Sequence, residues 1–257
     1  MPISVVTWNV NSIRVRKDRL IAFLARHSPD VVCLQELKTE DAKFPLEDVK
    51  AAGYHAAIFG QKTYNGVAIL SKTPIENVTC SFGDGVEDPQ SRFIIGTTAG
   101  VRVASAYFPN GSEVTSPKYP YKKEWMRRLR CYLDKNEKVS DPVLLCGDYN
   151  VAPDDLDIAK PDAWRDTVLA NDEIRAELEN VRAWGFIDTF RTHHPEGHIY
   201  SWWDYRQLAF PKNDGLRIDH IYGTPSIAER CIAAMVDRDE RKGEQPSDHA
   251  PVICTFK

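Results

Sequence analysis

No uncharged apolar run in this 257-residue chain approaches the ~20 residues that a membrane-crossing helix needs. No basic leader precedes Ile3-Ser4-Val5-Val6 either, so the sequence reads as an unexported, cytoplasmic protein with no membrane partner. Cysteine is sparse and scattered. Its six copies, Cys33, Cys80, Cys131, Cys146, Cys231 and Cys254, never fall at the spacing of a zinc knuckle or a redox pair, and a reducing compartment fits them best. A surplus of basic charge is missing too. The 33 Lys and Arg against 37 Asp and Glu leave a formal net charge of −4, so any polyanion must be held by local positive patches. There is no glycine-rich phosphate loop, which speaks against a doubly wound nucleotide-binding sheet. No long low-complexity linker divides the chain, which points to one domain over residues 1–257.

What the chain does have is 42% hydrophobic residues, enough for a core that removes about three quarters of the unfolded surface from water. Short β-branched runs recur at Ile3 to Thr7, Val31 to Leu34, Gly66 to Leu70, Ile94 to Gly96, Val101 to Tyr107, Val143 to Cys146, Ile218 to Tyr222 and Pro251 to Phe256. Helical periodicity marks Arg16 to His27, Lys122 to Lys135 and Asp172 to Trp184. Helices interrupt runs of strands instead of alternating with them. That order predicts an α/β fold in which two packed sheets carry helices on the outside. The irregular stretches near 83–92, 108–121 and 205–216 read as functional surface loops. One echo joins the halves: a strand ends in Trp8-Asn9-Val10-Asn11, and another in Gly147-Asp148-Tyr149-Asn150-Val151.

The informative polar residues stand at strand ends, where they would emerge on one rim. Asn9 and Asn11 follow the first run, Gln35 and Glu36 the second, and Asp148 and Asn150 the run at 143–146. Tyr107 ends the run that begins at Val101, Asp219 and His220 interrupt the 216–222 segment, and Ser247-Asp248-His249 leads into the last strand. A hard cation such as Mg²⁺ takes one or two carboxylates and polarises a phosphoryl group, so Glu36 with a neighbouring acid is a plausible metal site. His249 stands beside an acid, and a carboxylate on one ring nitrogen would fix its tautomer and raise its pKa; Asp219 is the candidate partner. Taken singly, each is ambiguous. A Glu at a strand end is most often a solvated edge residue, and Gly-Asp-Tyr-Asn is as often a turn as a site.

Together, Thr7-Trp8-Asn9-Val10-Asn11, Leu34-Gln35-Glu36, Tyr64-Asn65-Gly66-Val67-Ala68, Tyr107-Phe108-Pro109-Asn110-Gly111, Gly147-Asp148-Tyr149-Asn150, Leu216-Arg217-Ile218-Asp219 and Ser247-Asp248-His249-Ala250-Pro251 resemble the exonuclease III-type AP endonucleases. These belong to the endonuclease/exonuclease/phosphatase superfamily, with its DNase I-like fold. The resemblance implies a four-layer α/β sandwich of two mostly antiparallel, mixed sheets, with Mg²⁺ or Mn²⁺ as cofactor. It implies metal binding by Glu36, assisted by Asn9 and Asp248. It gives Tyr107, Asp148, Asn150, Asp219 and His249 catalytic roles, with Asp148 acting on the attacking water or the leaving group and Asp219 orienting His249.

Substrate contacts follow from the same resemblance: Asn11, Arg92, Asn110 and Lys118 toward the DNA, and Trp202, Leu216 and Ile218 around a flipped-out sugar without its base. Aromatic residues at the density of Ser201-Trp202-Trp203-Asp204-Tyr205 are otherwise more often core. Lys118, Lys122, Lys123, Arg127, Arg128 and Arg130 form the densest basic stretch, most of it reading as the wet face of a helix. Two departures stand out. Ser91 lies where relatives often carry glycine, and the 154–180 segment is short, with Pro161-Asp162-Ala163-Trp164 and Leu169 in it.

The activity implied is incision 5′ to abasic sites with 3′-to-5′ exonuclease and 3′-phosphatase action, by a monomer on double-stranded DNA with abasic sites or 3′ ends. Alternatives are 3′-end processing with little abasic incision, a superfamily phosphodiesterase acting on lipid or RNA, and an inactive DNA-binding scaffold.

Overall fold

The computed structural model describes residues 2–257. In chain order its strands are β1 (Ile3–Asn9), β2 (Val31–Gln35), β3 (His55–Phe59), β4 (Val67–Ser71), β5 (Glu76–Cys80) and β6 (Phe93–Thr98). There follow β7 (Val101–Tyr107), β8 (Val143–Asp148), β9 (Ile187–Asp188), β10 (Asp219–Gly223), β11 (Cys231–Val236) and β12 (Val252–Phe256). They form two six-stranded sheets, ordered β11-β12-β1-β2-β4-β3 and β5-β6-β7-β8-β10-β9. Each sheet is mixed. Its one parallel pair, β1 with β2 or β7 with β8, is joined by a long crossover helix, Ile13–His27 or Lys118–Asn136, and every other pairing is antiparallel.

Side-chain alternation builds the layers. In β1, Val5 points into the inter-sheet core while Val6 and Trp8 point outward under the Ile13–His27 helix. Strands covered on both faces need apolar residues at nearly every position, which is why the inner strands read as unbroken runs. The inter-sheet layer includes Val31, Val103, Leu144, Ile221 and Val252, together with Cys33, Cys146 and Cys254, so these thiols serve as small buried hydrophobes. The outer face of the second sheet is sealed by Trp125, Met126 and Leu129 of the 118–136 helix and by Ile174, Leu178 and Val181 of the Asp172–Arg182 helix. Each such aliphatic side chain contributes about 1.5–3 kcal/mol. The four-layer sandwich expected from sequence is the fold observed.

The 118–136 helix begins four residues before the expected Lys122, because Pro120 sits in its first turn, where a missing N–H costs no intrahelical bond. Among the described residues no helix is long and apolar enough to cross a membrane.

Register places the rim. Asn9 pairs with Gln35 at the ends of β1 and β2, Tyr107 with Asp148 at the ends of β7 and β8, and Asp219 at the start of β10 lies opposite Asp148. β12 runs antiparallel to β1, so the segment just before Val252, with His249, returns to the same edge.

Candidate active site

Two turns of the same construction frame the rim. After β1, the Asn9 side chain accepts from the Asn11 backbone N–H at 3.0 Å; after β8, Asp148 accepts from the Asn150 N–H at 2.9 Å. In both, the third residue is an Asn in the left-handed region, φ 44° at Asn11 and 50° at Asn150, which asparagine tolerates better than most side chains. Glu36, directly after β2, is left-handed as well, with φ 53°. The echo in the sequence is thus an echo in backbone geometry.

The two turns meet through one amide. Asn9 Nδ2 donates to Glu36 Oε1 and to Asp148 Oδ2, both at 2.9 Å, linking the sheets at their shared edge. Tyr107 donates its hydroxyl to Glu36 Oε1 at 2.8 Å, and Lys38 Nζ lies 2.8 Å from Glu36 Oε2. Burial opposes ionisation of Glu36, but Lys38 and the Asn9 amide outweigh it and hold the carboxyl below its usual range. Burial, with the same carboxylate adding to it, pushes the Tyr107 hydroxyl well up, so it stays a proton donor.

Asp148 is 1% exposed. Burial raises it to about 7, against the pull of the nearby His249, with Asp219 adding to the rise. His249 Nδ1 lies 2.9 Å from Asp219 Oδ2, which turns Nε2 toward Asp148 Oδ2 at 3.7 Å. Burial works against charge on this imidazole, yet Asp219 and Asp148 prevail and lift it to about 10. Asn150 Nδ2 donates to Asp148 Oδ2 at 3.2 Å and to the Phe108 carbonyl at 3.0 Å, and accepts from Asn110 Nδ2 at 2.8 Å. Glu36, Asp148 and His249 each present a ligand atom within 4.8 Å of the others. Two of the three are carboxylate oxygens and none is a thiol, a set that suits a hard divalent cation better than a thiophilic one.

Two further residues expected at the metal make hydrogen bonds of their own. Asn9 turns its amino group, not its oxygen, to the carboxylates, because its oxygen is engaged by the Asn11 N–H. Asp248 lies outside the Glu36–Asp148–His249 group and accepts from Asn11 Nδ2 at 2.9 Å and Trp202 Nε1 at 3.0 Å. Leu216 and Ile218, expected around a sugar, are 0% and 2% exposed and belong to the core of the second sheet; only Trp202 is partly open, with Trp164 edge-on to it at 5.8 Å.

Arg92 stacks over the Tyr107 ring at 4.6 Å, and with Asn110, Lys118, Tyr64 and Tyr121 it lines a groove of about 500 Å³ beside the rim. Ser91 lies outside the left-handed region, so no glycine is required there. The basic stretch is less open than expected. Lys123 and Arg127 pair with Glu173 and Glu177, Arg128 with Asp84 and Asp88, and Arg130 with Asp134, while Lys122 is fully buried. Of the six, Lys118 alone has neither burial nor an acidic partner among the described residues.

Residues 6–249 match the model of the Endonuclease/Exonuclease/phosphatase family. The chain belongs to that family. It is 38% identical to exodeoxyribonuclease III of Haemophilus influenzae, over 98% of this chain and 99% of that protein. Among solved structures, an AP endonuclease from Archaeoglobus fulgidus superposes with a TM-score of 0.96 at 38% identity, covering 99% of each chain. The 3′-5′ exonuclease NExo of Neisseria meningitidis gives 0.96 at 39%, covering 99% of this chain and 100% of that one. Within this family member, the site also holds residues that sequence reasoning passed over. Ser201, fully buried, donates to Asp219 Oδ2 at 2.6 Å and accepts from the Ile218 and Asp219 N–H groups; a lone serine before two tryptophans gives no signal. Lys38 could have been noticed, as a cation two residues after a strand-end carboxylate.

Proposed function

We propose that this chain is a DNA-repair nuclease that, with Mg²⁺ or Mn²⁺, hydrolyses the phosphodiester 5′ to abasic sites in duplex DNA and clears 3′ ends, working as a single-domain monomer. The observation that carries this reading is the line Asp219–His249…Asp148–Asn9–Glu36–Tyr107 along one rim, hydrogen-bonded at every link except the 3.7 Å ion-pair contact between His249 and Asp148. The names of its relatives, an exodeoxyribonuclease III and an AP endonuclease among them, supply the substrate class.

Glu36 would hold the divalent cation, with Asp148 as the neighbouring carboxylate. A hard cation so bound supplies charge stabilisation at the phosphoryl oxygens and acidifies water. Asp148, lifted toward neutral pH by burial, is suited to take or return a proton at Oδ2, where Asn9 and Asn150 fix its orientation. His249, held by Asp219, carries positive charge to the place where the phosphoryl group gains negative charge. Tyr107 orients Glu36, and Arg92 and Lys118 contribute phosphate contacts that favour no base sequence.

A second reading, 3′-end processing with little abasic-site incision, is favoured by the burial of Leu216 and Ile218 in the core, which leaves Trp202, edge-on to Trp164, as the partly open residue of the three. One experiment tests both. Rates on abasic, 3′-phosphate and recessed-end duplexes are compared with Mg²⁺ and with EDTA. EDTA-sensitive cutting is expected. Turnover of the 3′ ends without the abasic duplex selects the second reading, and metal-independent cutting or none on any DNA defeats both.

A further inference from the structure

Lys122 lies wholly inside the protein, on the 118–136 helix behind the rim, and none of the roles above uses it. Its ammonium group donates to three backbone carbonyls: Val168 at 2.6 Å, Asn150 at 2.7 Å and Asn110 at 3.1 Å. A buried ammonium without partners costs several kcal/mol, so its three N–H bonds must be matched, and here three acceptors match them. The packing leaves little slack. A Cβ built on Gly111 would sit 3.2 Å from Lys122 Cδ, and Gly111 itself has φ +93°.

The choice of carbonyls matters more than their number. Asn110 and Asn150, whose backbone oxygens share this ammonium, also bond to one another through their side chains at 2.8 Å. Lys122, Asn110 and Asn150 therefore close a ring, and from that ring the Asn150 amide reaches Asp148 Oδ2. Side chains that must hold a carboxylate to within a fraction of an ångström need support of this kind.

We propose that Lys122 is a positioning residue for the reaction at Asp148: it fixes the Asn110–Asn150 pair, which fixes the Asp148 carboxylate. The inference rests on the nuclease reading above. It is tested with Lys122→Met, which keeps the stem and deletes the donors, assayed well below its melting temperature on abasic and 3′-phosphate duplexes with Mg²⁺. kcat is expected to fall roughly 10- to 100-fold with KM within about 2-fold, since alignment and not binding is lost. In an Asn150→Ala background the same change is expected to cost nothing further. An unchanged kcat, or a loss that simply adds to that of Asn150→Ala, overturns the proposal.

Should Lys122→Met fail to fold, Lys122→Gln, with two N–H donors on a shorter chain, serves for both measurements. The side-chain amide protons of Asn110 and Asn150, followed by ¹⁵N NMR, judge the proposal without turnover. They are expected to exchange slowly in the unsubstituted protein and quickly once Lys122 is replaced; equal exchange in both overturns it. If the unsubstituted protein cuts no DNA, the nuclease reading fails, while the amide signals still decide whether Lys122 orders the pair.

Discussion

The turn Asn9-Val10-Asn11 leaves β1 and the turn Asp148-Tyr149-Asn150 leaves β8, and the two share a side-chain acceptor at the first residue, a buried second residue and a left-handed third. Each third residue even has its carbonyl bound by a cation from a crossover helix, Arg16 for Asn11 and Lys122 for Asn150. Their surroundings differ. Asn11 is half-exposed among Lys38, Tyr205 and Asp248, side chains that water reaches, whereas Asn150 is 5% exposed and held by Asn110, the Phe108 carbonyl and a buried lysine. One chemical difference accompanies this: the first residue is a neutral amide in the open turn and an acid in the closed one. Burial raises the Asp148 carboxyl to about 7, while Asn9, just as buried at 0% exposed, brings no charge into its turn, so the two turns differ in openness only at the third residue. The same backbone device thus carries a neutral amide in one half and, in the other, a carboxyl that burial lifts toward neutral pH.

The comparison breaks most sharply at the acid. Asp148→Asn and His249→Ala are each expected to lower kcat by about 10³-fold or more, as groups acting on the transition state do. Near-normal single-turnover rates in either would remove it from the reaction. Next comes the pair of turn residues themselves. Asn150→Ala is expected to cost about 10²-fold in kcat and Asn11→Ala less than about 10-fold, because water can replace partners in the open turn and not in the closed one. Equal losses would mean that burial does not distinguish the halves. Tyr107→Phe removes one hydrogen bond to Glu36 and is expected to cost about 1 kcal/mol, near 5-fold in kcat/KM. Its partner Glu36 stays held by Asn9 and Lys38, so a loss as large as that of Asp148→Asn would give Tyr107 a direct part in the chemistry.

Much of this architecture is legible in the sequence, and the illegible part has a pattern. The eight strands read from apolar runs are the inner ones of both sheets. The four that were not, β3, β5, β9 and β11, are the outermost strands of the two sheets. An edge strand is covered on fewer sides, so its sequence is under less pressure to be apolar: Glu76-Asn77-Val78 of β5 is exposed, as are Ile232, Ala233 and Met235 of β11, while β2, β4 and β8 are buried throughout. In the site, strand-end position announced Glu36, Asp148 and Asp219, and the rim placed them together. It could not announce which amide face Asn9 presents, or that Asp248 turns to Trp202 and Asn11, since both depend on competing hydrogen bonds that no spacing reports. Lys122 misled because its neighbours in the basic stretch face solvent or acids, while its own position on the helix faces the core.

The smallest expected effect concerns charge inside the closed half. His249 has a folded pKa raised above its ordinary 6.5, to about 10, by Asp219 and Asp148 against the cost of burial. The stability this contributes is fully present below about pH 6.5 and is lost as pH rises through about 10. Lys122 runs the other way: burial depresses it to about 7 from 10.5, so its contribution grows as pH rises across that interval. The two partly cancel in the unsubstituted protein, and a single stability curve would hide both. Subtracting the curve of Asp219→Asn, which retains Lys122, isolates the histidine. In EDTA, the stability difference between the two proteins is expected to be largest below pH 6.5 and to shrink steadily toward pH 10, with the His249 ring signal titrating near pH 10 in the unsubstituted protein and at lower pH in Asp219→Asn. A difference flat from pH 6 to 10 would show that Asp219 holds His249 by geometry alone, and the charged, dry half of the comparison would then reduce to Asp148.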